Sequence, residues 1–166
     1  LVPRVIGLTS SAQIKKGFRE YNQWTEETFY NELERKNGKI IGDIVRKIIE
    51  HLESKVSRFW FGKGKRIGSI VPTLDLANDS HFPFAIWTNG KIEIYFQWYK
   101  GRPPFDSVEA RKKILVRLNE IKGVNIPENK IDKRPSFEIK LLKEESEYVK
   151  FIKIYDWYFD EINKRF

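Results

Sequence analysis

The stretch HFPFAIWTNGKIEIYFQWY, residues 81–99, decides the fold because it predicts a β-hairpin. Both halves are rich in β-branched and aromatic residues, which favour strands. Asn89 and Gly90 between them tolerate the positive φ angles of a type I′ turn. The sequence therefore predicts two antiparallel strands joined by a two-residue turn.

A two-residue turn also sets the register of this hairpin. It places Thr88 opposite Lys91, and therefore Trp87 opposite Ile92. Side chains alternate along a strand, so we expect the residues that share a face with Trp87 and Ile92 to form the core side. These residues are Pro83, Ala85, Ile94, Phe96 and Trp98. The opposite face, around Phe84 and Tyr95, is expected to be covered by a helix or offered to a partner.

Two further strands are predicted before the hairpin. SRFWFG (57–62) forms the first, and RIGSIVPTLDL (66–76) forms the second, which Pro72 breaks or bulges. The simplest topology for four strands in sequence is an antiparallel meander. Residues 137–141 carry the pattern of a short additional strand.

Helical patterns flank this block of strands. The apolar residues of 41–56 keep a period of about 3.6 residues, and similar patterns occupy 110–121 and the stretch after Glu144. A shorter helix begins after Thr25 as N-cap, and Asp106 is predicted to cap the third helix. Because helices flank the strands, we predict an α+β fold, a four-stranded antiparallel meander packed with three to four helices.

The chain divides into a segment at residues 1–22 and a single α+β domain at 23–166. LVPR (1–4) matches the thrombin recognition sequence of expression vectors, RVIGL (4–8) has a strand pattern, and 10–21 resembles a linker or weak helix. We interpret 1–22 as either vector-derived or a link to an upstream domain. We favour a fragment of a longer chain.

Composition excludes several classes of protein. Cysteine is absent and there are only two histidines, so disulfides and thiolate metal sites are excluded and a histidine zinc site is disfavoured. No apolar run approaches the roughly 20 residues that span a bilayer. We expect a cytoplasmic protein with no membrane partner, no metal and no cofactor.

The formal charge of +8 is distributed unevenly. Residues 54–74 contain five basic and no acidic residues, and residues 110–143 contain ten basic and four acidic residues. Such segregation is typical of a basic face that attracts polyphosphate. It predicts DNA or RNA as a partner.

The basic loop GKGKR, residues 62–66, is the candidate phosphate site, because its glycines let backbone N–H groups cluster beside cations. It lacks the GxxxxGK[ST] spacing of a Walker A motif. The candidate phosphate contacts are Arg58, Lys63, Lys65 and Arg66, and the candidate base-stacking residues are Trp60, Tyr95, Trp98 and Tyr99. The alternative is that the loop is a soluble hairpin turn and that the aromatic residues belong to the core.

Catalytic residues are only weakly indicated. Asp106, followed by the ExK triplet of Glu138 and Lys140, forms an arrangement that could hold Mg²⁺. Asp106 is better explained as a helix cap. No serine, cysteine or carboxylate pattern selects His51 or His81 as a general base. The sequence leaves enzymatic activity open and favours a non-enzymatic role for this part of the chain.

Several segments together resemble a domain of uncharacterised prokaryotic proteins. They are FWFGKGKRIGSIVPTLDL (59–76), FPFAIWTNGKIEIYFQWY (82–99), RPPFD (102–106), LNEIKGVNIP (118–127) and RPSFEIKLL (134–142). In those proteins the domain is a C-terminal module after a predicted nuclease or other DNA-associated domain. The resemblance covers residues 24–162, implies an accessory role near nucleic acid, and transfers no active-site residue.

Three functions therefore remain open. The first is a nucleic-acid-binding accessory domain. The second is a protein-interaction or homodimerisation domain that uses the aromatic sheet face. The third is a metal-dependent nuclease built on Asp106, Glu138 and Lys140.

Overall fold

A computed structural model describes residues 23–165. In this range the helices are α1 (Glu26–Asn37), α2 (Lys39–Leu52), α3 (Phe96–Tyr99), α4 (Val108–Leu118) and α5 (Glu145–Asn163), with 3₁₀ turns at Glu128–Lys130 and Ile139–Leu142. The strands are β1 (Arg58–Phe61), β2 (Ser69–Leu76), β3 (Asp79–His81), β4 (Phe84–Trp87), β5 (Lys91–Ile94) and β6 (Ser136–Glu138). The strand predicted at 4–8 and the weak helix at 10–21 lie outside the described residues.

The predicted α+β fold with an antiparallel sheet is confirmed, but the count of four strands is too low. The strands are ordered β1-β2-β4-β5-β6, with β3 paired to the second half of β2. Leu74 pairs with His81 whereas Ile70 pairs with Ile86, so four steps along β2 correspond to five along its partner. That extra residue is a bulge, and it splits the predicted strand at Phe82 and Pro83.

The β2 strand runs through Pro72 without a break. Residues 69–70 of β2 pair with β4 and residues 74–76 pair with β3, so Pro72, which has no N–H group, lies where the strand changes partner. The short strand predicted near Phe137 is present as β6, which joins β5. The observed sheet therefore differs from the predicted meander in two ways: one predicted strand is split into β3 and β4, and β6 is added at the edge.

The predicted register of the hairpin is wrong by one residue. Ile86 pairs with Ile92 and Phe84 with Ile94, so the connection has three residues, 88–90. The only positive φ in this connection is that of Gly90, at 87°, whereas a type I′ turn needs two such residues. The Gly90 N–H donates to the Trp87 carbonyl at 3.0 Å. This geometry is a three-residue loop that ends in a left-handed glycine.

The shift in register changes which side chains of β4 enter the core. Phe84 and Ile86 are 0% exposed, and Trp87 lies on the opposite face instead. The prediction for β5 is confirmed, because Ile92 and Ile94 are buried as expected. The apolar side chains that face the helices are therefore Phe84 and Ile86 of β4 and Ile92 and Ile94 of β5.

The second half of the predicted hairpin strand is helical. The β5 strand ends at Ile94, and α3 follows at once. This turn of helix reverses the predicted burial of two side chains. Trp98, predicted in the core, is 39% exposed, and Tyr99, predicted on the opposite face, is 1% exposed. The Tyr99 hydroxyl donates to the Pro83 carbonyl at 2.6 Å and lies 3.2 Å from the Tyr155 hydroxyl. Burial of this polar tip with a partner stabilises the helical turn.

The long helices cover the inner face of the sheet. The ring of Phe84 lies 4.8 Å from Tyr155 and 5.2 Å from Phe151 of α5. Thr25 caps α1, as predicted, through a capping box with Thr28. Asp106 does not cap α4, because the Ser107 hydroxyl accepts the hydrogen bond from the Ala110 N–H.

Asn37 at the end of α1 holds the hairpin loop in place. Its Nδ2 donates to the Leu33 carbonyl at 2.9 Å and to the Thr88 carbonyl at 2.8 Å. We expect Asn37→Ala to lower the free energy of unfolding by about 1–2 kcal/mol, because both carbonyls lose a partner. Urea denaturation measures this loss. The exposed Asn129 provides the control, and a midpoint for Asn37→Ala equal to that of Asn129→Ala would contradict the assignment.

Candidate nucleic-acid interface

The face of the sheet opposite the core carries a groove lined by aromatic side chains. Phe59 and Phe61 of β1 pack against the core, so the alternating residues Arg58 and Trp60 lie on the other face, here called the outer face. The aromatic groove on it has a volume of about 330 Å³ and is lined by Arg58, Trp60, Val71, Thr73, Phe82, Tyr95 and Trp98. Four of the predicted site residues, Arg58, Trp60, Tyr95 and Trp98, therefore lie together.

The walls of the aromatic groove are accessible aromatic rings. Trp60 is 40% exposed and Trp98 39% exposed. The Tyr95 and Trp98 ring centroids lie 6.5 Å apart, with the planes at 81°. Burial raises the pKa of Tyr95 to about 12, and the nearby Glu93 carboxylate adds to this effect. Tyr95 is therefore a neutral hydroxyl at physiological pH, and the groove offers flat apolar surfaces with one polar tip.

Arg58 at the end of the groove is already paired. Its Nε lies 2.7 Å from Asp75 Oδ2, and its Nη2 lies 3.3 Å from Asp75 Oδ1. The Ser80 hydroxyl also donates to Asp75. The Arg58 guanidinium, followed by Ser80, holds the pKa of the Asp75 carboxyl below its usual value. The predicted phosphate contact at Arg58 is thus a neutralised pair in the free protein.

The three cations of the basic loop are not paired in this way. Lys63, Lys65 and Arg66 are exposed, and none of the ion pairs formed among residues 23–165 involves them. Gly62, the first loop residue, directly follows β1 and is two residues beyond Trp60, about 7 Å along the strand. The basic loop therefore begins beside Trp60, which lines the aromatic groove.

Trp24 holds the basic loop in place through two hydrogen bonds, a role that the sequence pattern did not reveal. Its indole Nε1 donates to the Gly64 carbonyl at 2.6 Å, and its backbone N–H donates to the Gly62 carbonyl at 2.9 Å. A Cβ on Gly68 would lie 2.6 Å from the indole ring, so only glycine allows this close packing. The only sequence signal was the position of Trp24 before the helix cap. The loop is therefore braced by the domain.

A second groove lies beside the first on the outer face. It has a volume of about 320 Å³ and is lined by Ile67, Trp87, Asn89, Lys91, Glu93 and Ser136. Exposed Lys133 and Arg134 precede β6 at the far edge of the sheet, where Arg134 Nε lies 4.0 Å from Glu93 Oε2. The outer face is thus bordered by cations at the basic loop and before β6.

Tyr99 does not belong to this surface. Its ring lies 5.2 Å from Tyr158 and 5.8 Å from Phe105, within the core. Burial raises its pKa well above the usual value. The expectation that Tyr99 stacks on a base is therefore wrong, because the helical turn at α3 directs the ring inward.

The candidate catalytic residues form no recognisable metal centre. Glu138 is paired with Lys140 at 3.4 Å, and the Asp106 carbonyl accepts a hydrogen bond from Arg111. Within residues 23–165, no three acidic or histidine side chains lie close enough to hold a metal ion. His51 is not isolated, since its Nε2 lies 2.7 Å from Asp156 Oδ1 of α5. That contact joins two helices.

Comparison of the chain with protein-family models, curated proteins and solved structures gave no significant match. The resemblance to a prokaryotic accessory domain therefore stays a prediction. None of the helices in the described part of the chain is both long and apolar enough to cross a membrane. The function has to be argued from the outer face itself.

Proposed function

We propose that this chain is a nucleic-acid-binding domain that holds a single strand on the outer face of its sheet. One observation carries the proposal: two exposed tryptophans line a groove beside the start of a loop whose three cations form no ion pair within residues 23–165. Aromatic platforms beside a basic track are how single strands are bound without strong sequence preference. Stacking contributes about 1–3 kcal/mol per base, and the cations neutralise phosphates.

The accessible rings favour single strands over duplexes. Trp60 and Trp98 present rings to solvent at the surface of the sheet, where an unstacked base can lie against them. Bases inside a duplex already stack on each other and have no free face to offer. A module of this kind suits the accessory role in a larger nucleic-acid-processing protein that the resemblance implies.

The competing function is a protein-interaction or dimerisation surface. It is supported by the Arg58–Asp75 pair, which removes one cation from the edge of a largely apolar groove. Because Phe84 is buried, the centre of such an interface would lie at Trp60 and Trp98 and not at Phe84, where it was predicted. The two functions differ in the role of the basic loop, because a dimer interface in the groove does not require Lys63, Lys65 or Arg66.

Replacing Lys63, Lys65 and Arg66 together by alanine tests the proposal. We expect affinity for a single-stranded oligonucleotide to fall about tenfold or more at low salt, because up to three phosphate contacts are lost. The slope of log affinity against log salt should fall by about 2. Fluorescence anisotropy across a salt series measures both. The fold should survive, since exposed charges contribute little to stability.

A triple alanine variant of Lys39, Lys153 and Lys164 is the matched control, because it removes the same charge from exposed positions at the start of α2, on α5 and directly after α5. It should lose far less affinity than the loop variant. Equal losses in the two triple variants would show a nonspecific charge effect. Unaltered binding by the folded loop variant, or no binding by the unmodified protein at low salt, would favour the protein-interaction function.

A further inference from the structure

We propose that the strand on the outer face is RNA, and that the Glu93 carboxylate accepts a hydrogen bond from a ribose 2′-hydroxyl. This inference rests on the proposed function and names its substrate. Its basis is a carboxylate held between the two grooves of a face whose borders are cationic.

Glu93 is fixed in position. It lies on β5, with 20% of its side chain exposed, and its Oε1 accepts a hydrogen bond from Trp87 Nε1 at 3.2 Å. Within residues 23–165, its Oε2 forms an ion pair with Arg134 alone, at 4.0 Å, which is beyond hydrogen-bond distance. Glu93 lines the second groove, and Tyr95, two residues along, lines the aromatic groove. An acceptor with unused lone pairs therefore stands between the two.

The charge of Glu93 determines what part of a strand can lie beside it. A phosphate there would be repelled, whereas a hydroxyl group can donate a charge-assisted hydrogen bond to the carboxylate. The phosphates are then expected along the cationic borders, at Lys63 and Lys65 on one side and at Lys133 on the other. The sugars and bases occupy the middle of the face.

The 2′-hydroxyl is the group that distinguishes RNA from DNA at such a position. A DNA strand on the same path has no 2′-hydroxyl, so it cannot donate the hydrogen bond to Glu93 that the ribose supplies. Asp75, another carboxylate of the face, cannot serve equally, because Arg58 and Ser80 already occupy both of its oxygens. Glu93 is thus the residue on which a ribose preference depends.

The test compares oligouridylate with oligodeoxyuridylate of equal length, because these probes differ only in the sugar. Fluorescence anisotropy at low salt should show RNA binding about tenfold to a hundredfold more tightly, as one charge-assisted hydrogen bond predicts. Glu93→Gln should weaken RNA binding while leaving DNA binding unchanged or tighter, since it removes a negative charge. Glutamine retains an oxygen that can accept from Trp87, so the fold should persist, and circular dichroism checks this.

Glu27→Gln, on an exposed position of α1, removes the same charge at another site and should alter both affinities little. Equal binding of the two oligonucleotides by the unmodified protein would overturn the inference and leave the proposed function standing. Equal weakening of both by Glu93→Gln would also overturn it, because the carboxylate would then contact the base. Binding of neither oligonucleotide would overturn the proposed function and this inference together.

Discussion

Replacing Ile48 by aspartate is expected to unfold the domain. Ile48 is 0% exposed on α2, within the main core cluster, so the substitution buries a carboxylate among apolar side chains. Burial of an unpaired charge costs several kcal/mol, a large share of the roughly 5–15 kcal/mol by which a domain is stable. Circular dichroism and thermal melting should show no cooperative transition near physiological temperature. Phe151→Asp on α5, also 0% exposed, should have the same result.

Ile40→Asp is the matched control for Ile48→Asp. It makes the same substitution on the same helix, but Ile40 is 57% exposed and lies in the first turn, where a carboxylate is favoured by the helix dipole. We expect its melting temperature to stay close to that of the unmodified protein. Cooperative melting of Ile48→Asp at the unmodified temperature would show that the inner face of α2 has been misassigned.

The sequence predicted the long elements well because their signals are local. The period of α2, the Thr25 cap and the strand-forming residues of β1 and β2 each lie within a few residues of one another. The hairpin register failed because it depends on a contact distant in sequence, in which Asn37 binds the carbonyl of Thr88. A pattern read within the hairpin contains no information on that contact.

The same reason explains the error at residues 95–99. Their aromatic composition favours a strand, but α3 lets the Tyr99 hydroxyl reach Pro83 and Tyr155. Local propensity for a strand is weak compared with burial of a large aromatic side chain that keeps its hydrogen bonds. The turn that buries Tyr99 also exposes Trp98, which the sequence had placed in the core.

The candidate site was predicted in part. Composition identified the basic loop and the aromatic residues Trp60 and Tyr95, which the fold places on one face. Composition could not show that Asp75 neutralises Arg58, or that Glu93 lies between two grooves, because both depend on pairing between strands. Charge segregation in the sequence therefore indicates where a polyanion can approach, and the sheet determines which cations are free.

The double substitution Trp60→Ala and Trp98→Ala should have the largest effect on nucleic-acid binding. Each loss of a stacking platform costs about 1–3 kcal/mol, so the affinity for a single strand should fall by about a hundredfold when both are removed. Because both rings are substantially exposed, the melting temperature should fall only modestly. Fluorescence anisotropy with a labelled single strand measures the affinity, and Trp60→Phe with Trp98→Phe should restore much of it.

Trp157→Ala provides a matched loss of one tryptophan from α5, where the ring packs on Phe105 under the Arg117 guanidinium. This variant should bind the single strand normally if it remains folded, because Trp157 lies outside the aromatic groove. Sedimentation of each variant separates the two competing functions, since a dimer interface in the groove predicts that the double substitution changes the molecular mass in solution. The double variant could instead remain folded, bind the strand as tightly as the unmodified protein, and change in mass from dimer to monomer. That result would assign the aromatic groove to self-association and would show that nucleic-acid binding does not use its rings.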